Sequence, residues 1–201
     1  MKRVFDIVVS LVGLLLCSPL LFLIALWVKF DSPGPIFFVQ PRVGRNNKDF
    51  NLIKFRSMTH QLWADGQLIT VGNHDPRITR SGYYLRRYKL DELPQLINVL
   101  KGDMSLVGPR PLVRQQVEVY FEQYEPILSV RPGITSEASL YYSNEDELLG
   151  AADNPEKLFC EELLPKKIEL NMHYVRHHSF AGDIRLLLRT FWVFITGNRK
   201  K

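Results

Sequence analysis

The sequence predicts an α+β fold that is mainly helical, with a few short strands and an N-terminal membrane element. Three stretches carry this prediction: an apolar run over residues 7–28, the alternating stretch FNLIKF at residues 50–55, and the regularly spaced apolar residues of LDELPQLINVL at residues 90–100. Alternation is typical of a half-buried strand, and apolar residues three and four positions apart are typical of a helix. The length of 201 residues suits one domain of ordinary size.

The apolar run is long enough to form a membrane element. It has 22 residues, of which only Ser10 and Ser18 carry polar side chains. As a helix rising about 1.5 Å per residue it would extend roughly 33 Å, against a hydrocarbon core of about 30 Å. The run exceeds the apolar core of a signal peptide, and no convincing cleavage site follows it. We therefore expect a membrane element that is retained.

A Ser18-Pro19 pair lies almost at the centre of this run. Pro19 cannot donate to the carbonyl of Leu15, which costs about 3 kcal/mol inside a helix, although the Ser18 side chain can bond to the freed backbone. Basic residues stand on both sides, which does not favour a crossing: Lys2, Arg3, Lys29, Arg42, Arg45 and Lys48. From these residues alone, a proline-kinked span and a helix–break–helix hairpin are equally supported.

Charge and cysteine content narrow the classes of partner. The net charge is +5, but residues 136–164 hold eight acids against one base, so the rest of the chain is strongly basic. Such a body suits anionic lipid, a phosphate-bearing substrate or nucleic acid. We expect no nucleic-acid partner, because the chain lacks an aromatic–basic RNA motif and a helix-turn-helix signature. Cys17 and Cys160 lie far apart, which argues against a disulfide framework.

The chemistry-bearing residues concentrate between residues 77 and 111. All charged residues from position 77 to Lys89 are basic, and Asp91 and Glu92 follow them. These two acids lie at the start of a predicted helix that should end at Gly102. An acid at this position is ordinarily a helix cap. A phosphate site is the alternative, because Arg110 lies in the stiff loop GPRP and arginine suits bidentate contact with phosphate. Lys54 would add a point charge, and Arg86 is either a phosphate ligand or a surface ion-pair partner.

Several motifs together resemble one family. They are KRVFDIVVS, SPLLFLIALWVKFDSPGPIFFVQPRVG, FNLIKFRSM, DPRITRSG, LRRYKLDELPQLINVLKGDMSLVGPRP and VRPGIT, and they cover nearly all of residues 2–135. On these motifs the chain resembles the monotopic phosphoglycosyl transferases. These bacterial sugar transferases pass a phosphosugar from a nucleotide diphosphosugar to polyprenyl phosphate.

The resemblance implies roles for five residues. Asp91 would be the nucleophile that forms a covalent aspartyl-phosphosugar intermediate, and Glu92 would lie beside it and hold Mg²⁺. Lys54, Arg86 and Arg110 would bind phosphate. A UDP-sugar would donate to polyprenyl (undecaprenyl) phosphate with release of UMP, in the first membrane step of a glycoconjugate pathway.

The resemblance also implies how the chain meets the membrane. Residues 1–30 would form a re-entrant helix broken at Ser18-Pro19, and residues 31–201 a catalytic domain on the cytoplasmic face of the bacterial inner membrane. We expect membrane lipids as partners, with an interfacial C-terminal helix around Trp192 and basic Arg87 and Lys89 near headgroups. Larger members carry an additional membrane domain, so a minimal catalytic unit is expected here. A homodimer is left open.

Two features depart from the family pattern. The segment Ser136–Gly150 is atypical, and Asn171 stands where relatives often have Asp. These differences leave the sugar undetermined. Two other functions stay open: a membrane-bound glycosyltransferase that releases UDP, and a non-catalytic membrane module that binds anionic lipid.

Overall fold

The computed structural model describes residues 1–59 and 75–196, and it is an α+β fold that is mainly helical. The helices are α1 Lys2–Asp31, α2 Arg80–Arg87, α3 Gln95–Lys101, α4 Arg114–Val119, α5 Phe121–Tyr124, α6 Glu137–Tyr141, α7 Glu145–Ala151, α8 Pro155–Leu158, α9 Leu164–His177 and α10 Phe180–Thr196. The strands are β1 Phe37–Val43, β2 Asp49–Phe55, β3 Ser105–Val107 and β4 Gly133–Thr135. The basic residues that follow α10 in the sequence lie outside the described residues.

The predicted membrane element forms a single helix, α1. α1 stays helical through Pro19, so the Ser18-Pro19 pair does not divide it into two separate helices, and the re-entrant course stays a prediction. The Ser18 hydroxyl donates to the Leu15 carbonyl at 2.8 Å, which supplies the hydrogen bond that Pro19 cannot make. This local replacement explains why the helix continues. Within the described part of the chain, α1 is the one helix long and apolar enough to cross a membrane.

Both ends of α1 are bound to the rest of the protein. Near its start, the Arg3 guanidinium donates to the Val99 and Leu100 carbonyls at 2.6 and 3.1 Å. Near its end, the Arg56 guanidinium donates to the Val28 carbonyl at 3.0 Å and to the Ser32 carbonyl at 2.6 Å. Most of the side chains between these ends are exposed, in keeping with a lipid environment.

Two small sheets complete the frame. β1 and β2 form an antiparallel hairpin in which Phe38 pairs with Lys54 and Arg42 pairs with Phe50. The prediction of β2 is confirmed, whereas β1 was not predicted from the sequence. Pro41 is tolerated there because β1 is an edge strand, where a missing N–H group costs little. β3 and β4 pair in parallel.

Three clusters of buried side chains hold these elements together. One packs the C-terminal end of α1 on β2 and α2, a second packs β2 on α3 and β3, and the third joins α4, α5 and the π-helical turn Phe159–Leu163 to α9. α10 packs Leu186 and Leu187 onto the second cluster but leaves Leu188, Phe191 and Trp192 exposed. Its amphipathic character agrees with the predicted interfacial helix.

Candidate active site

The site begins with a tight turn between α2 and α3. Lys89 adopts the left-handed conformation with a φ of 53°, and residues Leu90–Glu92 then form a single 3₁₀ turn. Pro94 directly precedes α3, and Gly102 ends that helix with a φ of 96°, so the helix end predicted at Gly102 is confirmed. The turn buries the carboxyl groups of Asp91 and Glu92 inside the protein.

Glu92 is bound by two cations. Arg110 Nη2 lies 2.6 Å from Glu92 Oε1, and Arg110 Nη1 lies 3.2 Å from Glu92 Oε2. Lys54 Nζ lies 3.2 Å from Glu92 Oε1. The structure therefore brings together three predicted site residues from three different elements: β2, the 3₁₀ turn and the loop after β3.

Asp91 lies in a different environment from its neighbour. It is buried, and its Oδ1 atom has no hydrogen-bond partner among residues 1–59 and 75–196. Burial raises the pKa of Asp91, while the charge of Lys54 opposes that shift. Native proteins rarely leave a buried carboxylate oxygen without a partner. This oxygen is consequently suited to accept a bond from a substrate or a cation.

Opposite charges keep Glu92 ionised. Burial by itself would raise the pKa of Glu92, but the charges of Arg110 and Lys54 hold it well below its usual range. Burial lowers the pKa of Lys54, and the Glu92 carboxylate counteracts this effect. The two adjacent acids thus have pKa values shifted in opposite directions, which is a frequent property of functional sites.

Some basic residues before Asp91 lie near the site, and others lie on the surface. Arg86, at the end of α2, and Lys89 both act electrostatically on Asp91 and lower its pKa. Lys89 therefore belongs to the electrostatic environment of the site. Arg87 is exposed, and its guanidinium lies 5.9 Å from the centre of the Tyr88 ring.

Comparison with known proteins identifies the family of this chain. The family model of bacterial sugar transferases matches residues 1–197. The chain belongs to the bacterial sugar transferase family. Its motifs around Asp91, Glu92 and Arg110 therefore lie within a family-wide match that covers almost the whole sequence.

Individual proteins similar to this chain carry names that describe sugar-phosphate transfer or exopolysaccharide production. The chain is 40% identical over 195 residues to the undecaprenyl-phosphate glucose phosphotransferase of Komagataeibacter xylinus, covering 94% of this chain and 35% of the relative. It is 40% identical over 194 residues to the UDP-glucose:undecaprenyl-phosphate glucose-1-phosphate transferase of Escherichia coli K12, covering 94% and 39% respectively. The chain thus spans less than half the length of these relatives. It covers 92% of the exopolysaccharide production protein PSS of Rhizobium leguminosarum, at 38% identity over 200 residues and 94% of this chain.

Asn98 joins β2, the strand that carries Lys54, to α3. The side chain is fully buried. Its Oδ1 accepts the Ile53 amide at 3.0 Å, and its Nδ2 donates to the Asn51 carbonyl at 2.7 Å and to Asp103 at 3.3 Å. A single carboxamide thereby pairs with the backbone of β2 next to Lys54. The sequence alone does not reveal this role, because the β2 partners of Asn98 lie 45 and 47 positions away.

The loop that carries Arg110 is fixed by a close backbone crossing. Gly108 donates to the Thr135 carbonyl at 3.0 Å, and a Cβ atom at Gly108 would overlap the Arg131 carbonyl oxygen. Only glycine therefore fits without displacing β4. The buried Tyr124 hydroxyl donates to the Arg110 carbonyl at 3.1 Å, which restrains the loop further.

Two more residues near the site were missed or left without a role. Arg42, considered only as a charge flanking the membrane run, acts electrostatically on Arg110, Glu92 and Lys54. Polar residues at alternate positions of FFVQPRV were the signal that could have revealed it. Glu145, in the atypical segment, acts on Arg110 and lies 2.5 Å from Lys167. Asn171 is buried in α9.

The carboxyl groups of the site fit a magnesium ion held jointly with a substrate. No cluster of three or more His, Cys, Asp or Glu residues occurs in the described ranges 1–59 and 75–196. Mg²⁺, however, is usually bound by one or two carboxylates together with substrate phosphates and water. Asp91 Oδ1 is unpartnered within those ranges, and Glu92 Oε2 accepts only one bond, from Arg110. These two oxygens are the ligands that the site can offer.

Proposed function

We propose that this sugar transferase moves a phosphosugar from a UDP-sugar to polyprenyl phosphate through a covalent intermediate on Asp91. The observation that carries the proposal is a pair of adjacent buried carboxyl groups in different environments. Glu92 is ion-paired with Lys54 and Arg110, whereas Asp91 has an oxygen without a partner among the described residues. The printed names of the relatives from Komagataeibacter xylinus and Escherichia coli support the same reaction class.

The proposed reaction has two balanced steps. In the first, an Asp91 oxygen attacks the phosphorus bonded to the sugar, the bond between the two phosphates breaks, and UMP leaves with the bridging oxygen. In the second, an oxygen of polyprenyl phosphate attacks the same phosphorus and releases the Asp91 carboxylate. The bond between sugar and oxygen stays intact, so the anomeric configuration is retained.

Cations are needed because an anion attacks an anion. Lys54 and Arg110 offset the charge of Glu92, and Arg86 and Lys89 add positive charge near Asp91. Glu92 and Asp91 would hold Mg²⁺, which when bound neutralises charge on the diphosphate. Burial of Asp91 raises its pKa and so makes its carboxylate a better nucleophile once it is ionised.

We further propose that α1 bends at Ser18-Pro19, enters the membrane and returns to the side from which it came. Support comes from its two ends, because Arg3 is bonded to α3 and Asp31 accepts hydrogen bonds from the Ser81 amide and hydroxyl, both at 2.9 Å. In the middle, a Cβ atom at Gly13 would lie 3.4 Å from Leu96 of α3. A helix that contacts the rest of the protein at its start, at Gly13 and at its end is poorly placed to span a bilayer.

Nucleotide release tests the chemistry. Purified protein in nanodiscs would receive UDP-sugars, Mg²⁺ and polyprenyl phosphate, with Asp91→Asn as the test variant and Asp49→Asn as an exposed-carboxylate control. We expect sugar-dependent UMP release that is lost in Asp91→Asn and kept in Asp49→Asn. Release of UDP would instead support the glycosyltransferase. Lipid binding without any nucleotide release across the panel would favour the non-catalytic module.

Labelling with a membrane-impermeant maleimide tests the course of α1. In a Cys17→Ser, Cys160→Ser background, a cysteine is added before Met1 or introduced as Lys29→Cys. Both sites are expected to react in permeabilised cells only. Reaction of either cysteine in intact spheroplasts would show that α1 crosses the membrane.

A further inference from the structure

The site contains more buried positive charge than its own carboxylates balance. Arg42, Lys54 and Arg110 interact electrostatically with one another around Glu92, and Asp91 is the second acid of the group. Glu145 also acts on Arg110, and Arg86 and Lys89 act on Asp91, so five cations face three carboxylates. Burial lowers the pKa of Arg42 to about 10, and the charge of Arg110 contributes to this shift. An additional anion would relieve the repulsion among these cations.

Strand register places Arg42 on the same side of the hairpin as Lys54. Arg42 pairs with Phe50, and Lys54 pairs with Phe38. Side chains of directly opposed residues, and of residues two positions apart, lie on one face of an antiparallel sheet. The side chains of Arg42 and Lys54 therefore project from one face, and the alternating exposure of β1 shows that this is its inward face.

The Arg42 guanidinium is oriented by neutral groups. Its Nη2 donates to Gln40 Oε1 at 2.7 Å, and its Nη1 donates to the Pro111 carbonyl at 3.3 Å. Its Nε is buried and has no partner within residues 1–59 and 75–196. A guanidinium has five N–H donors, so most of its capacity is left for a ligand. Planar, preorganised donors of this kind suit phosphate oxygens.

We propose that Arg42 is a phosphate-binding residue of this site, held in place by Gln40 and the Pro111 carbonyl. The inference rests on the proposed function, which supplies two candidate phosphates: the diphosphate of the UDP-sugar and the headgroup of polyprenyl phosphate. In either case the ligand is a phosphoryl oxygen that supplies the negative charge missing from the cluster. Gln40 acts through Arg42 as a positioning residue.

Binding of inorganic pyrophosphate to the full-length protein in nanodiscs tests the phosphate site directly. The variants are Arg42→Met, which removes the charge, and Arg42→Lys, which keeps the charge but removes the Nε donor. Arg114→Met is the matched control, because Arg114 is half-exposed and pairs with Asp49 at 2.6 Å. By calorimetry in Mg²⁺-free buffer we expect affinity to fall at least tenfold in Arg42→Met and about threefold to tenfold in Arg42→Lys, with no change in Arg114→Met.

The two half-reactions identify which phosphate Arg42 binds. Slower UMP release without acceptor would assign Arg42 to the UDP-sugar diphosphate. A normal UMP burst followed by slower discharge to polyprenyl phosphate would assign it to the lipid phosphate. If wild-type protein binds pyrophosphate through Arg42 but releases no UMP, the proposed function fails while the phosphate site stands.

Unchanged pyrophosphate affinity in the Arg42 variants would overturn the proposal. Should Arg42→Met fail to fold, Arg42→Lys decides by the same measurement, since it preserves the charge and most of the stem. Gln40→Leu provides a check on positioning. We expect it to weaken pyrophosphate binding in the same direction as Arg42→Lys, and to have no additional effect when combined with Arg42→Met.

Discussion

Arg110 binds both carboxylate oxygens of Glu92, with distances of 2.6 Å from Nη2 to Oε1 and 3.2 Å from Nη1 to Oε2. This fork fixes a buried acid next to Asp91, whose Oδ1 has no partner in the described part of the chain. Two carboxylates that are adjacent in sequence thereby have different environments. One is held in an ion-pair network, and the other keeps an oxygen without a partner among the described residues.

Replacing Arg110 with lysine should slow the first half-reaction. Arg110→Lys keeps the charge but cannot bond to both Glu92 oxygens, so we expect UMP release to fall about tenfold to a hundredfold. Single-turnover release from a UDP-sugar measures the effect. Arg114→Lys, which alters an exposed pair with Asp49, serves as the control. Equal rates for Arg110→Lys and wild type would contradict the importance of the fork.

Removing the Glu92 charge should destabilise the protein at neutral pH. Glu92→Gln leaves Lys54 and Arg110 without their shared carboxylate. We expect the free energy of unfolding to fall by about 2 kcal/mol, a value kept small because Arg110 is partly exposed to solvent. Folding lowers the pKa of Glu92. The ionised Glu92 therefore stabilises the fold fully above the pKa of an unfolded glutamate, about 4.3, and this stabilisation is lost as the pH falls through the lower pKa of the folded state.

Thermal unfolding in nanodiscs over a pH series checks this prediction. The difference in Tm between wild type and Glu92→Gln should be largest near neutral pH and should shrink on acidification. A difference that stays constant across the acidic range would show that the charge of Glu92 is not its source.

The rate of UMP release should reveal the ionisation of Asp91. Its raised pKa means that acid inactivates the nucleophile at a higher pH than for an exposed Asp, so the rate should fall on the acidic side. Lys54 lowers the pKa of Asp91, and Lys54→Met should therefore move this fall to still higher pH. Acceptor-free single-turnover assays exclude titration of polyprenyl phosphate. A shift to lower pH in Lys54→Met would be inconsistent with the assigned charges.

Truncating the buried carboxamide of Asn98 should weaken both the fold and the site. Asn98→Leu leaves the Ile53 amide and Asn51 carbonyl without their partner, and we expect a loss of about 2–4 kcal/mol in stability. Asn51→Ser is the comparison, because the Asn51 side chain is exposed and its backbone bond should persist. Chemical unfolding of both variants measures the difference, and similar losses would refute the special role of Asn98.

Local features could be predicted from neighbouring residues. The strand at FNLIKF, the helix that follows Pro94 and its end at Gly102 depend on contacts within a few positions of the chain. The apolar run likewise indicates a long helix. The sequence could not show that the helix continues through Pro19, because this depends on how the Ser18 hydroxyl is oriented toward Leu15.

The sequence by itself determined the kinds of chemical group present: two adjacent acids after a basic stretch, an arginine in a proline-rich loop, and a long apolar segment. Only the tertiary structure decided which groups meet. Lys54 reaches Glu92 across 38 positions and Arg110 across 18, while Asn98 holds β2 against α3. Such contacts depend on strand register and on buried packing between distant elements, which local spacing does not encode.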